Sequence, residues 1–176
     1  MRITTENTFE TALVQTLTEH GGYTQGNASD YSPDLGLFKY EVIQFLQASQ
    51  PKRWEKITAI HGADAENRVI QRLYKELDLR GSLDVLRNGF VDYGVRFQMA
   101  FFQPASGLNP DAMDLYNKNN LKVYRQIYYS TKNKNSVDVL LSLNGIPVAT
   151  LELKNQFTGQ NVGNALKQYS ETRDNR

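Results

Sequence analysis

Apolar residues recur every three to four positions through the first half of the chain and alternate with polar ones through much of the second. In "NTFETALVQTLTEHGG", Phe9, Leu13 and Leu17 fall at i, i+4 and i+8, Asn7 stands before them as a cap, and Gly21-Gly22 ends the run, which predicts a helix. "LGLFKYEVIQFLQAS" and "GADAENRVIQRLYKELDLRG" predict two more, the second with Val69, Ile70, Leu73 and Leu77 on one face and Gly81 past its end. "QPKRWEKITAIHG" between them fits neither template. In "VDYGVRFQMAFF" the period becomes two: Val95, Phe97, Met99 and Phe101 alternate with Arg96, Gln98 and Ala100, which predicts a strand that "QPASGLNP" breaks. A short helix over "DAMDLYNK" follows, then the strand "NLKVYRQIYYS" and the polar loop "TKNKNS". Next come two strands in "SVDVLLSLNGIPVATLELKN" joined at Asn144-Gly145, and "NVGNALKQYSETRD" returns to a helical period. There is no repeat, low-complexity segment or shift in composition. The order predicts one domain over residues 1–176 of the α/β class, an α+β mixed sheet built late in the chain and flanked by helices.

At 176 residues the chain can bury roughly 70% of the surface its unfolded form exposes and needs no staple. It has no cysteine, which excludes disulfides, thiolate metal sites and cysteine nucleophiles. No apolar run reaches the ~18 residues of a membrane span, and "MRITTENTFE" lacks the apolar core of a secretory signal, so a soluble, cytoplasmic protein without membrane contact is expected. Net charge is only +1, so a nucleic-acid role would rest on a local basic patch. One exists: from Asn117 to Val137 the chain carries Lys118, Lys122, Arg125, Lys132 and Lys134 with no acid, interleaved with Tyr124, Tyr128 and Tyr129. A solvated strand edge and loop is the plain reading. Its adjacency to Asp138 favours phosphate contact by Lys122, Arg125, Lys132 and Lys134.

Asp138, Glu152 and Lys154 each sit against strand preference. Glu152 and Lys154, two apart, leave the same face, while Leu151 and Leu153 point the other way. Alone, Glu-x-Lys is more simply an exposed ion pair. Asp138 changes this, because two converging carboxylates repel unless a cation sits between them, and hard cations such as Mg²⁺ take such oxygen ligands. A lysine alongside can hold the attacking water. The turn opposes this arrangement: if only Asn144 and Gly145 form it, Leu143 pairs with Ile146, Asp138 falls opposite Leu151, and the acids face opposite sides. One ion can meet both only if the loop is odd or a bulge shifts the register, and Pro147, unable to donate to a ladder, marks the place.

Asp138 followed by Glu152-Leu153-Lys154 on the next strand resembles the PD-(D/E)xK nuclease pattern. "ASGLNP", "NSVDVLLSLNGIPVATLELKN" with "TGQ" after it, and "ALKQY" followed by "TRD" resemble, more specifically, the amino-terminal nuclease domain of the R subunit of type I restriction-modification enzymes. The similarity runs from about Gly81 to the end, and the early helix ending in "GGY" is compatible with it. The resemblance implies a restriction-endonuclease-like fold and Mg²⁺- or Mn²⁺-dependent cleavage of double-stranded DNA. It makes Asp138 and Glu152 metal ligands, the Leu153 carbonyl a further ligand, and Lys154 the water-positioning residue. It also implies a longer subunit whose ATP-driven motor domains are absent here, assembled with modification and specificity subunits. There is no phosphate-binding Gly-x-x-x-x-Gly-Lys-Ser/Thr loop, so ATP is expected only through those motors. Some members carry Gln-x-x-x-Tyr after the lysine. Here Gln168 is the corresponding catalytic candidate, but Thr172 stands where the tyrosine would.

Two other classes of reading compete: a non-catalytic DNA-binding or subunit-docking module with a nuclease-like fold, and a nuclease acting on RNA or single strands. The intact Asp, Glu and Lys argue against the first. Glu10 fits either a third acid, as related nucleases carry on an early helix, or a capping arrangement with Asn7, and the cap is the simpler reading. His20 and His61 are expected at the surface, and Trp54 and the tyrosines in the core and rim.

Overall fold

The computed structural model describes residues 6–105 and 109–153. Six helices and six strands alternate unevenly among them: α1 (Glu6–His20), β1 (Thr24–Gln25), α2 (Lys39–Ser49), α3 (Pro51–His61), α4 (Ala65–Arg80), α5 (Ser82–Asn88), β2 (Phe90–Asp92), β3 (Val95–Phe97), α6 (Pro110–Asn117), β4 (Leu121–Tyr128), β5 (Ser136–Leu143) and β6 (Ile146–Leu151). The main sheet has the order β1-β4-β5-β6. β4, β5 and β6 form an antiparallel meander, and the short β1 joins its edge in parallel to β4. This is a mixed α/β fold consistent with a nuclease-like architecture, with its sheet built mainly from the late strands.

Each face of the sheet has its own cover. Val14 of α1 packs on Val123, Val139 and Leu153, with Leu13 and Leu17 at the margin. On the other face Phe38, at the entry to α2, packs with Tyr124, Ile127, Val137 and Leu140. The largest cluster lies beyond, where α2, α3, α4 and α5 enclose Phe90, Phe97, Met99 and Ile146.

The β5–β6 turn is fixed by burial rather than by its own preference alone. Asn144 and Gly145 both have positive φ, 53° and 83°, as the tightest hairpin turns require. Gly145 also lies so close to α2 that a Cβ there would stand 2.7 Å from the Phe38 carbonyl oxygen. Its own carbonyl accepts from Phe38 N–H at 2.9 Å. The fully buried Asn144 side chain accepts from Asn120 N–H at 2.7 Å and donates to the Met99 carbonyl at 2.9 Å, tying the turn to the start of β4 and to the chain after β3.

Four sequence expectations change. The buried face of α1 is Glu10, Val14 and the margins of Leu13 and Leu17, whereas Phe9 is 52% exposed and Asn7 lies inside the helix rather than capping it. The ambiguous "QPKRWEKITAIH" becomes α3, begun by Pro51 at its first position, where a missing N–H costs nothing. The expected strand through Phe101 is a two-stranded hairpin that stops at Phe97, because the Gln50 side chain takes both the N–H and the carbonyl of Gln98 at 2.9 Å and replaces a ladder partner. His61 is not a surface residue: its side chain is 9% exposed and its Nε2 lies 2.8 Å from Asp92 Oδ2. The end of the chain, including the expected final helix, lies outside the described residues.

Candidate active site

The register of β5 against β6 decides whether the acids can meet. Leu143 pairs with Ile146 across the two-residue turn, and Ser142 with Pro147, but Leu141 pairs with Ala149, so Val148 is an extra residue and the register shifts by one. Pro147, with no N–H to give, and the bulge beside it act together. From there Leu140 pairs with Thr150 and Val139 with Leu151. Carried one residue further, this register sets Asp138 opposite Glu152 instead of Leu151. Residues directly opposite in an antiparallel pair have Cβ atoms ~5 Å apart on one face. The carboxylate of Asp138 also accepts the Leu153 N–H at 2.7 Å, which binds the chain after β6 to β5 at this level. The Leu153 side chain turns inward onto Val14, Val123 and Val139.

On its other side Asp138 faces an interruption in β4. Arg125 pairs with Val139 and Ile127 with Val137, but no pair forms between Gln126 and Asp138. Gln126 has φ of 51°, a left-handed value that costs a non-glycine residue about 1 kcal/mol or more. The strands change face there: Tyr124 and Ile127, three apart, share the Phe38 cluster, and so do Leu140 and Val137, whereas Val139 and Leu141 between and beside them pack toward α1. The backbone is thereby reset at the level of Asp138.

The reset sends two consecutive β4 side chains toward α1. Arg125 Nε donates to Glu10 Oε1 at 2.5 Å, and its Nη2 donates to Asn7 Oδ1 at 3.1 Å. Gln126 Nε2 donates to Glu10 Oε2 at 3.1 Å and to Asp138 Oδ1 at 3.4 Å. Glu10, only 6% exposed, is therefore no capping residue: it is a buried acid joined to Asp138 through one amide. Sequence reasoning weighed Glu10 as a third acid or a cap, preferred the cap, and assigned Gln126 nothing. The signal for both was the adjacent polar pair Arg125-Gln126 inside an otherwise alternating strand.

Two of the four expected phosphate-binding cations are engaged elsewhere. Arg125 neutralises Glu10, and Lys122 Nζ donates to Glu41 Oε1 at 2.8 Å, where Glu41 is 2% exposed. Tyr124 O–H also donates to that oxygen, and burial, followed by the bond to Glu41, pushes the Tyr124 hydroxyl well above its ordinary pKa. A lone buried carboxylate costs far more than a surface cation gains, which is why these two basic side chains turn inward. Lys132 and Lys134 remain in the exposed β4–β5 loop. Lys154 and Gln168 lie outside the described residues.

Asp138 and Glu152 are the residues that could hold a hard cation. They are two carboxylates, one on β5 and one immediately after β6, and Mg²⁺ commonly takes one or two carboxylates with water and phosphate completing the octahedron. Among the described residues no group of three or more His, Cys, Asp or Glu side chains is placed to hold a metal ion. Nor is any described helix long and apolar enough to cross a membrane.

Comparison with curated proteins gives no match, and neither does comparison with solved structures. A family model described as the type I restriction enzyme R protein N terminus matches residues 3–176, so the likeness extends well before Gly81 and takes in α1 and Glu10 together with the acid-bearing hairpin. The chain belongs to the family of type I restriction enzyme R protein N termini.

Proposed function

We propose that this chain is the divalent-cation-dependent nuclease domain of a type I restriction enzyme R subunit and that it hydrolyses phosphodiester bonds of double-stranded DNA. The observation that supports this reading is the one-residue bulge at Val148, which shifts the register so that, continued one residue past the last pair Val139–Leu151, it would set Asp138 opposite Glu152 in a hairpin whose tight turn would otherwise separate them. Family membership supplies the restriction-enzyme context; in this reading DNA and the modification and specificity subunits are the partners of the complete enzyme.

Asp138, Glu152 and the Leu153 carbonyl would hold Mg²⁺ or Mn²⁺, with Glu10 close by. Such an ion neutralises charge on the scissile phosphate and lowers the pKa of a bound water. The Leu153 N–H binds one oxygen of Asp138, and the Gln126 amide lies 3.4 Å from the other. Lys154 orients the attacking water, Gln168 assists at the same centre, and Lys132 and Lys134 meet the DNA backbone through phosphate charge, without reading bases. ATP enters only through motor domains of the complete subunit.

The test is duplex cleavage by the complete enzyme carrying Asp138→Ala, Glu152→Ala or Lys154→Ala. Each should lower cation-dependent cleavage on the order of a hundredfold or more while ATP-driven translocation continues, and pairs of substitutions should cost little more than one. Undiminished cleavage by any of the three would overturn the assignment.

A further inference from the structure

The chain just after β3 forms one wall of a cavity that the proposed cleavage chemistry does not use. Two side-chain amides hold this wall where a neighbouring strand would otherwise stand. The buried Gln50 amide takes the N–H and the carbonyl of Gln98 at 2.9 Å, and Asn119 accepts the Phe101 N–H at 3.1 Å and donates to the Phe101 carbonyl at 2.6 Å. The start of α3 closes the other side, and the cavity measures about 420 Å³, within the ~300–1,000 Å³ of small-ligand sites. Phe101, Pro51 and Leu115 give it apolar lining, and Lys52 and Arg53 give it two cations. Lys52 is exposed, while the half-buried Arg53 is held by a bond from Nη1 to Gln50 Oε1 at 2.8 Å. Unlike Lys122 and Arg125, which neutralise buried acids, neither is in an ion pair among the described residues, and the first turn of α3 carries no acid.

We propose that this cavity takes one unpaired nucleotide of a DNA strand, with its base against the Phe101 ring and its phosphate on Lys52 and Arg53. That the strand is DNA rests on the nuclease reading above. The case joins charge to shape. Two cations without acid partners call for an anion, and the guanidinium fork suits phosphate oxygens. An aromatic ring beside them calls for a flat partner, and every base offers a π-face whatever its identity, so the site holds a strand without reading it. A base inside a duplex is already covered on both faces, which restricts the cavity to unpaired nucleotides. Because Gln50 and Asn119 fix Arg53 and Phe101 beforehand, little ordering cost is left for binding. The site is separate from the acids. Asn144 Nδ2 donates to Asn119 Oδ1 at 3.0 Å, which ties this wall to the β5–β6 turn, and Asn144 lies six residues beyond Asp138, ~20 Å at ~3.3 Å per strand residue.

The experiment is fluorescence anisotropy of a labelled single-stranded oligodeoxynucleotide, and of the same strand in a duplex, titrated in EDTA with the 176-residue chain. It uses wild type, Lys52→Ala, Arg53→Ala, Phe101→Leu and the double variant Lys132→Ala/Lys134→Ala. Lys52→Ala and Arg53→Ala should each weaken single-strand binding several-fold and lower the slope of log affinity against log salt by about 0.7. Phe101→Leu keeps the apolar bulk but loses the ring, and should weaken single-strand binding roughly tenfold without changing that slope. All three should bind the duplex as wild type does, and because Lys52 is exposed, its replacement leaves the interior undisturbed. No single-strand binding by wild type, unchanged binding in Lys52→Ala, Arg53→Ala or Phe101→Leu, or an equal loss for both substrates would overturn the proposal. A free deoxynucleoside monophosphate should displace the strand only at millimolar concentration; displacement at micromolar concentration would make this a free-nucleotide site and overturn the assignment to a strand. The double variant separates the two readings: if it binds the duplex as wild type does, the assignment of Lys132 and Lys134 to the DNA backbone is what fails.

Discussion

Glu41 and Tyr124 show how individual side chains of the basic segment serve the interior. Tyr124 lies flat against Phe38, with ring centroids 3.8 Å apart, and gives its O–H to a carboxylate buried beneath the sheet. Glu41 Oε2 has no hydrogen-bond partner among the described residues, so the bonds to Oε1 carry the satisfaction of this acid. Tyr124→Phe should therefore cost roughly 1–3 kcal/mol at neutral pH. The pH dependence has a definite sign. Because the folded chain holds the Tyr124 hydroxyl above its ordinary pKa of 10.0, its stabilising contribution is complete below that pH and is lost as pH rises beyond it. Urea unfolding from pH 9 to pH 11 should show wild type losing stability faster than Tyr124→Phe above about pH 10. Parallel curves would contradict this account of the pair. None of this was legible in the sequence, where Lys122 and Arg125 read as free cations, because the acids that claim them lie more than eighty positions away in α2 and α1.

The β5–β6 hairpin carries the argument at the scale of elements. Its alternation and the need for either an odd loop at Asn144-Gly145 or a bulge near Pro147 were readable from residues 136–155, since proline cannot fill a ladder and a one-residue slip exchanges the faces of a strand; which of the two it would be was not. Gln126 could not be read this way, because its left-handed backbone follows from packing on both faces of β4 and no glycine or asparagine announces it. Nor could the early end of β3, where a glutamine side chain from the α2–α3 junction replaces a strand. Inserting one alanine between Ala149 and Thr150 tests the register directly. The lengthened β6 should still pair with β5, so the far-ultraviolet circular dichroism should change little, but Asp138 would then face Leu151. The insertion should abolish cation-dependent stabilisation, and a chain that keeps the full response would show that this register does not set the site.

At the scale of the whole molecule, the fold brings an early helix and a late hairpin to one place. The local periods were sufficient for the mixed sheet and for four of its flanking helices, α1, α2, α4 and α6; α3 fitted neither template, and the seven residues of α5 between Gly81 and Gly89 are too short for a periodic signal. Periodicity could not show that α1 delivers Glu10 to the level of Asp138, because that closure spans most of the chain. The family match covers both parts, in agreement with a single constellation assembled from distant segments. As an active site, that constellation requires Asp138 and Glu152 to hold one cation together. The most direct measurement is Mn²⁺ binding to the chain by electron paramagnetic resonance, comparing wild type with Asp138→Ala, Glu152→Ala and the double variant. One bound ion should be lost almost entirely in either single variant, with no further loss in the double. Retained binding in either single variant, or losses that add, would contradict a shared ion and with it the active site described above.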